Sequence, residues 1–308
     1  MTAALPTATL GRTCLTVTCL GFGAMEIRGT RIWGGRPVTD DQAKTILNAV
    51  LDAGINFIDT SNDYGRSEEF IGKFIAGRRS EYILATKCGC NVTRRDEHTD
   101  DTPHVWTREN LFRGLHESLG RMKTDYVDII QLHNPPADVC EQAGLVDALN
   151  EMRQQGKARF ISVSTTIPHL PIYLKWGVFD TFQIPYSALE RDHEDWIAEA
   201  GKAGIGIIVR GGVAKGEPGV GLGRGERWEK FEAAKLDELR EAGESRTSFL
   251  LRYTLTHPYA NTIIVGTLYP EHLAENVQAA SRGPLAPVVY AEAKRRLAVV
   301  GVVPTPAA

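Results

Sequence analysis

The sequence predicts a single (β/α)8 barrel of the TIM type over residues 1–308, with a short N-terminal hairpin and long loops at its C-terminal face. Three observations predict it. Apolar strand-like runs recur about eight times with amphipathic helical stretches between them. Those runs are dense in Val, Ile and Leu, as in parallel strands covered on both faces. No break in composition divides the alternation, which favours one closed barrel over an open doubly wound sheet.

In chain order, the first ~18 residues read as a hairpin with Gly11 and Arg12 at its turn. The strand candidates that follow are 19–24, 56–60, 82–87, 126–133, 160–164, 181–186, 205–210 and 262–266. Between the first two, Thr39 and Gln42 have capping-box spacing, Ala43, Ile46, Leu47, Val50 and Leu51 follow at helical spacing, and Gly54 is the stop. Leu111, Leu115, Leu119 and Met122 form a second stripe, and Leu145, Ala148, Leu149 and Met152 a third. Segments 196–203 and 271–280 continue the pattern. The longest irregular stretches, 26–37, 90–106 and 211–227, follow strand ends and are the expected walls of a pocket.

With 35 Lys and Arg against 38 Asp and Glu, the chain has a formal charge of -3 and lacks the basic footprint of a nucleic-acid binder or an anionic-membrane ligand. A small-molecule partner is expected, without nucleic acid or membrane; oligomeric state is left open. The N-terminus has neither a signal-peptide pattern nor a long apolar span. Cys14, Cys19, Cys88, Cys90 and Cys140 are odd in number and scattered, which fits reduced thiols in a cytoplasmic protein, with Cys88 and Cys90 as strand-end thiols.

Several familiar motifs are missing. There is no G-x-G-x-x-G after a strand, no GxxxxGK[ST], no HExxH, no GxSxG and no deaminase pair, so Rossmann, hydrolase and metalloenzyme readings lose their usual support; no metal is expected. What is present is a set of polar residues at the ends of consecutive predicted strands: Asp59 and Tyr64 in FIDTSNDYG, Lys87 in ILATK and His133 in IIQLH. Taken singly, Asp59 suits a turn cap, Tyr64 a loop aromatic, Lys87 a solvated strand end and His133 a turn. A barrel brings all four ends together, and charges at the mouths of buried runs are costly unless they pair. A free phenol, with a pKa of about 10, exchanges protons poorly near neutrality. A neighbouring ammonium favours the phenolate, so Lys87 is expected to lower the pKa of Tyr64, with Asp59 aiming the cation and His133 binding the same substrate oxygen.

These residues resemble the pattern of the aldo-keto reductase family, and the segment GINFIDTSNDYGRSEEFIGKFI resembles its first signature region. The resemblance runs from LGFGAM to Ala280. It implies a TIM-type barrel, a nicotinamide dinucleotide held without a Rossmann fold, and reversible hydride transfer between that cofactor and a carbonyl. By the resemblance Ser164, Thr165 and Gln183 hold the carboxamide, with Thr165 where the family has Asn. Arg210 stands where an aromatic usually stacks on the nicotinamide. Gly211, Gly212, Lys215 and Gly216 match the segment around the pyrophosphate. Gly266, Thr267, Leu268, His272, Glu275 and Asn276 match the adenosine end, Glu275 facing the adenine amine or solvent. The resemblance favours NADP(H), and NAD(H) is possible because Leu268 replaces a family Ser, Arg or Lys that meets the 2'-phosphate. Met25, Ile27, Trp33 and Trp106 are expected to line an apolar substrate pocket. The function expected is an NADP-dependent carbonyl reductase with Tyr64 as general acid and base. The alternative is a nucleotide-binding barrel that senses redox state with little turnover, as the family's channel-associated members resemble.

Overall fold

The computed structural model describes residues 4–307. Eight strands close a barrel in sequential order: β1 (Leu20–Gly23), β2 (Phe57–Asp59), β3 (Ile83–Cys88), β4 (Val127–His133), β5 (Ala158–Ser164), β6 (Thr181–Pro185), β7 (Gly206–Arg210) and β8 (Thr262–Val265). Each lies within its expected segment or overlaps it by all but a residue or two. The pairings described are parallel and their register fixes which strand ends meet. Gly23 faces Asp59 across β1 and β2, Lys87 faces Gln131 across β3 and β4, and His133 faces Ser164 across β4 and β5.

Backbone contacts group residues 21–182 and 266–273 into one compact unit and the rest of the described chain into another. In the first, α1 (Asp40–Asp52) begins with the expected capping box: Thr39 Oγ1 accepts from the Gln42 amide at 3.2 Å, and Gln42 Oε1 accepts from the Thr39 amide at 3.0 Å. Its apolar stripe, from Ala43 to Leu51, is buried, and the chain leaves through Gly54 at φ 82°. Next come α2 (Ser67–Phe74), α3 (Arg108–Met122), α4 (Leu145–Gln154) and α5 (Leu170–Trp176), with a short helix at Ala137–Gln142 ahead of α4. The stripes expected on α3 and α4 face inward, with Leu111, Leu115, Met122, Leu145, Leu149 and Met152 all buried.

The second unit holds the N-terminal hairpin, Thr7–Thr9 paired antiparallel with Thr16–Thr18 around a 3-10 turn at Gly11–Thr13. It also holds α6 (Glu194–Lys202) and α7 (Arg246–Leu255), most of α8 (Pro270–Ser281), and two further helices at Gly225–Ala233 and Pro287–Val299. Two of the stretches read as irregular contain structure. Residues 90–106 carry a small hairpin, Thr93–Arg94 against Asp100–Asp101, and 211–227 ends in the start of the Gly225 helix. Among the described residues no helix is long and apolar enough to cross a membrane.

Candidate active site

Lys87, one residue from the end of β3, is 1% exposed and donates to Asp59 Oδ2 at 2.6 Å and to the Thr60 carbonyl at 2.9 Å. An ammonium this deeply buried is tolerated only with a partner and full hydrogen bonding. Asp59, the last residue of β2, is held from its other side: Gln131 donates to Oδ1 at 2.8 Å, as the register of Lys87 with Gln131 allows. Burial works against the charge on Lys87, but the Asp59 carboxylate and the Tyr64 phenol outweigh it and hold its pKa above the ordinary lysine value.

Tyr64 sits on the turn after β2, where its amide donates to the Ser61 carbonyl and its own carbonyl accepts from the Ser67 amide. The Lys87 ammonium lies 4.9 Å from its ring centre. Burial pushes the phenol up to about 12, and the charge of Lys87 only partly opposes that, while Asp59 and Asp63 add to it. The expected lowering is therefore corrected in its net direction. Lys87 acts with the expected sign, but desolvation of a nearly enclosed phenolate is the larger effect. A phenol so placed keeps its proton near neutrality.

His133 closes β4, its ring 6.2 Å from that of Tyr64 and nearly perpendicular to it. Its Nδ1 lies 3.0 Å from Cys90 Sγ and 3.6 Å from Asp63 Oδ2. Asp63 is buried and accepts a short hydrogen bond from Ser61. Beyond His133, Asn134 takes a left-handed φ of 62°, and its Oδ1 accepts from Ser164 Oγ at 3.0 Å. So Ser164 does meet an asparagine, but one supplied by the end of β4; Thr165 instead donates weakly to the Thr166 carbonyl at 3.4 Å.

The pocket residues divide. Trp33 is half exposed and meets Tyr64 edge to face at 5.9 Å, and Met25 and Trp106 are partly exposed. Trp106 is seated by Gly89, whose added Cβ would fall 2.0 Å from the indole. Ile27 is wholly enclosed and is corrected from pocket wall to core. The loops carrying Trp33 and Trp106 are tied together: Arg31 grips Asp100 through Nε at 2.8 Å and Nη2 at 2.5 Å, and also donates to the Glu97 carbonyl at 2.6 Å. An open cleft of about 700 Å³ there is bordered by Arg31, Trp33, Arg95, Asp100 and Pro103.

Of the remaining residues expected around a cofactor, Gln183 is buried within β6 and Arg210 ends β7. Gly211, Ala214, Lys215 and Gly216 all have positive φ, from 48° to 79°, and Lys215 is exposed. Gly212 is a packing residue: an added Cβ would lie 2.5 Å from Ile263, and its carbonyl accepts from Thr254 at 2.9 Å. Gly266 must be glycine, since a Cβ would meet the Gly23 carbonyl at 2.4 Å. Thr267 is buried and its hydroxyl accepts from the Tyr269 amide at 3.0 Å. Leu268 is also buried, an aliphatic side chain at the position that the resemblance matches to the 2'-phosphate. His272 packs on Tyr269 at 5.2 Å, and Asn276 is buried. Glu275 turns Oε1 toward the start of α7, where it accepts from Ser245 and Ser248. Sequence reasoning missed Arg36. Its guanidinium lies 5.5 Å from the Tyr269 ring centre, pairs with Glu26 at 2.9 Å, and keeps a buried Nε with no hydrogen-bond partner among the described residues.

A closed parallel barrel with a buried acid, cation and phenol gathered at consecutive strand ends has the architecture of a barrel enzyme, whose chemistry sits at that face. Residues 19–296 match the aldo/keto reductase family, and the chain belongs to that family of oxidoreductases. Among solved structures it is similar to the holo form of aldo-keto reductase AKR11C1 from Bacillus halodurans, with a TM-score of 0.82 and 28% identity, covering 95% of this chain and 96% of that one. It is 29% identical to the oxidoreductase YqkF of Bacillus subtilis, covering 88% of this chain and 90% of the relative. It is 27% identical to L-galactose dehydrogenase of Arabidopsis thaliana, covering 88% of this chain and 86% of the relative.

Proposed function

We propose that the protein interconverts a carbonyl and an alcohol with a nicotinamide dinucleotide, Tyr64 serving as proton donor in reduction and acceptor in oxidation. The observation that carries this reading is the enclosed Asp59–Lys87 pair against a phenol that stays protonated. A bound nicotinamide dinucleotide supplies or takes up the hydride. In reduction, Tyr64 gives its proton to the substrate oxygen as negative charge builds there. Lys87 stabilises the phenolate left behind, Asp59 keeps Lys87 aimed, and His133 orients the carbonyl oxygen. In oxidation the phenolate takes the alcohol proton back.

The donor set suits the cofactor at its two ends. Ser164 and Asn134 form a hydroxyl–amide pair of the kind that reads a carboxamide. The left-handed run at 214–216, with Lys215, offers a cationic loop for a pyrophosphate. We favour NADP(H) because Arg36, with its unpartnered buried Nε, stands beside Tyr269 where a 2'-phosphate partner is wanted. Gln183, Arg210, Gly266, Thr267, His272 and Asn276 complete the proposed surround. Trp33, Trp106 and Met25 would meet the substrate, a small aldehyde, ketone or sugar. The deciding experiment is titration with NADPH and NADH by intrinsic fluorescence, then turnover with a panel of carbonyls and aldoses. Saturable binding with turnover supports the reading; binding of neither cofactor, or binding without any turnover, defeats it.

A further inference from the structure

We propose that Cys90, His104 and His133 form a binding site for a thiophilic divalent cation, with zinc as its type. The donor atoms of the three side chains all lie within 4.8 Å of one another. Cys90 Sγ and His133 Nδ1 are 3.0 Å apart, and the rings of His104 and His133 lie 5.5 Å apart at 80°.

The backbone builds this grouping. Cys90 and His104 face each other across an isolated antiparallel bridge, flanked by the Val105 amide donating to the Gly89 carbonyl at 2.8 Å and the Asn91 amide donating to the Pro103 carbonyl at 2.8 Å. His104 is further set by its stack on Trp106, 5.0 Å between ring centres and 10° from parallel. His133 arrives separately, at the end of β4. Asp63 Oδ2, 3.6 Å from His133 Nδ1, stands as a fourth donor or as the acceptor for a bound water.

Tetrahedral zinc takes sulfur at about 2.3 Å and imidazole nitrogen at about 2.0 Å, which separates the donors by roughly 3.3 to 3.6 Å. The pair Cys90 and His133 is closer than that and no donor pair is more than 4.8 Å apart, so the exposed His104 ring is the member that moves to complete the shell. One thiolate with two imidazoles selects zinc or copper over magnesium or calcium. On binding, the Cys90 thiol proton passes to solvent and sulfur takes the metal in its place. Because the ion claims Nδ1 of His133, it keeps that ring's proton on Nε2. Metal occupancy would thereby control a residue that the proposed carbonyl chemistry uses, a consequence that rests on that reading, although the binding itself does not.

The test is therefore of binding rather than activity. The metal-free full chain is titrated with Co2+ and followed for thiolate-to-metal charge transfer in the near ultraviolet, and Zn2+ affinity is measured by displacement. A saturable band is expected, abolished in Cys90→Ser, with Zn2+ binding weakened by about tenfold or more in His104→Ala. Because Cys90 is buried, each variant is checked for wild-type circular dichroism, and His104→Ala, on an exposed residue, stands independently. Absence of the band in the wild type, its survival in Cys90→Ser, or unchanged affinity in His104→Ala would overturn the proposal.

Discussion

Lys87 and Asp59 form an ion pair of 2.6 Å in which neither side chain is more than 2% exposed. Removing one member strands the other charge in the barrel, which typically costs about 3 to 5 kcal/mol. Lys87→Met and Asp59→Asn are each expected to lower the urea midpoint accordingly. The double variant should be more stable than the sum of the two singles implies. Additive losses would show that the pair is not coupled in folding.

Tyr64→Phe keeps the ring contacts with Trp33 and His133 and removes only the hydroxyl. Turnover is expected to fall about 100- to 10,000-fold, the usual cost of losing a general acid, while dinucleotide affinity changes little. Steady-state rates and fluorescence titration of the same variant check both halves.

The phenol of Tyr64 stands at about 12, and Tyr82, Tyr173, Tyr186, Tyr253 and Tyr290 are also raised by burial. The unfolded chain releases these protons near pH 10, while the folded chain holds them longer. Stability should accordingly be full below about pH 10 and decline as pH rises toward 12, by up to about 1.4 kcal/mol per unit for each tyrosine. Denaturation midpoints at pH 8 to 11.5 measure the slope. A flat profile contradicts the burial argument.

Arg36→Met removes the guanidinium beside Tyr269. If it serves a 2'-phosphate, NADPH affinity should drop by about tenfold or more, the worth of a charge-assisted hydrogen bond, with NADH far less affected. Parallel dissociation constants for the two cofactors decide it, and equal losses assign Arg36 to its pairing with Glu26 alone.

The barrel is legible in the sequence because its strands are short, branched and apolar, with turn signals between them, and α1 is legible because its cap and stripe are local. α7 is harder to see. Every residue from Ser248 to Thr254 is buried, so the segment has no polar face to set off a stripe. The C-terminal helix Pro287–Val299 fails for the opposite reason, burying only Ala293 and Leu297. At the site, Asp59, Lys87 and His133 stand out as polar residues ending apolar runs, and Tyr64 as the aromatic in the polar turn that follows one of them. Gln131, Asp63 and Asn134 occupy the same segments, yet their roles come from cross-strand register and from turns, which spacing along the chain does not reveal. The direction of the Tyr64 shift was equally hidden, since it depends on how far the loops enclose the ring.

The fork of Arg31 on Asp100 joins two loops that begin at different strands, β1 and β3. Neither wall can then be redrawn on its own. Exchanging the 26–37 loop with that of a relative strands Asp100, and exchanging 90–106 strands Arg31, so recombination of single loops meets a mismatch at its first step. Substrate range in this scaffold should diversify through paired exchanges, with the two segments inherited as one cassette.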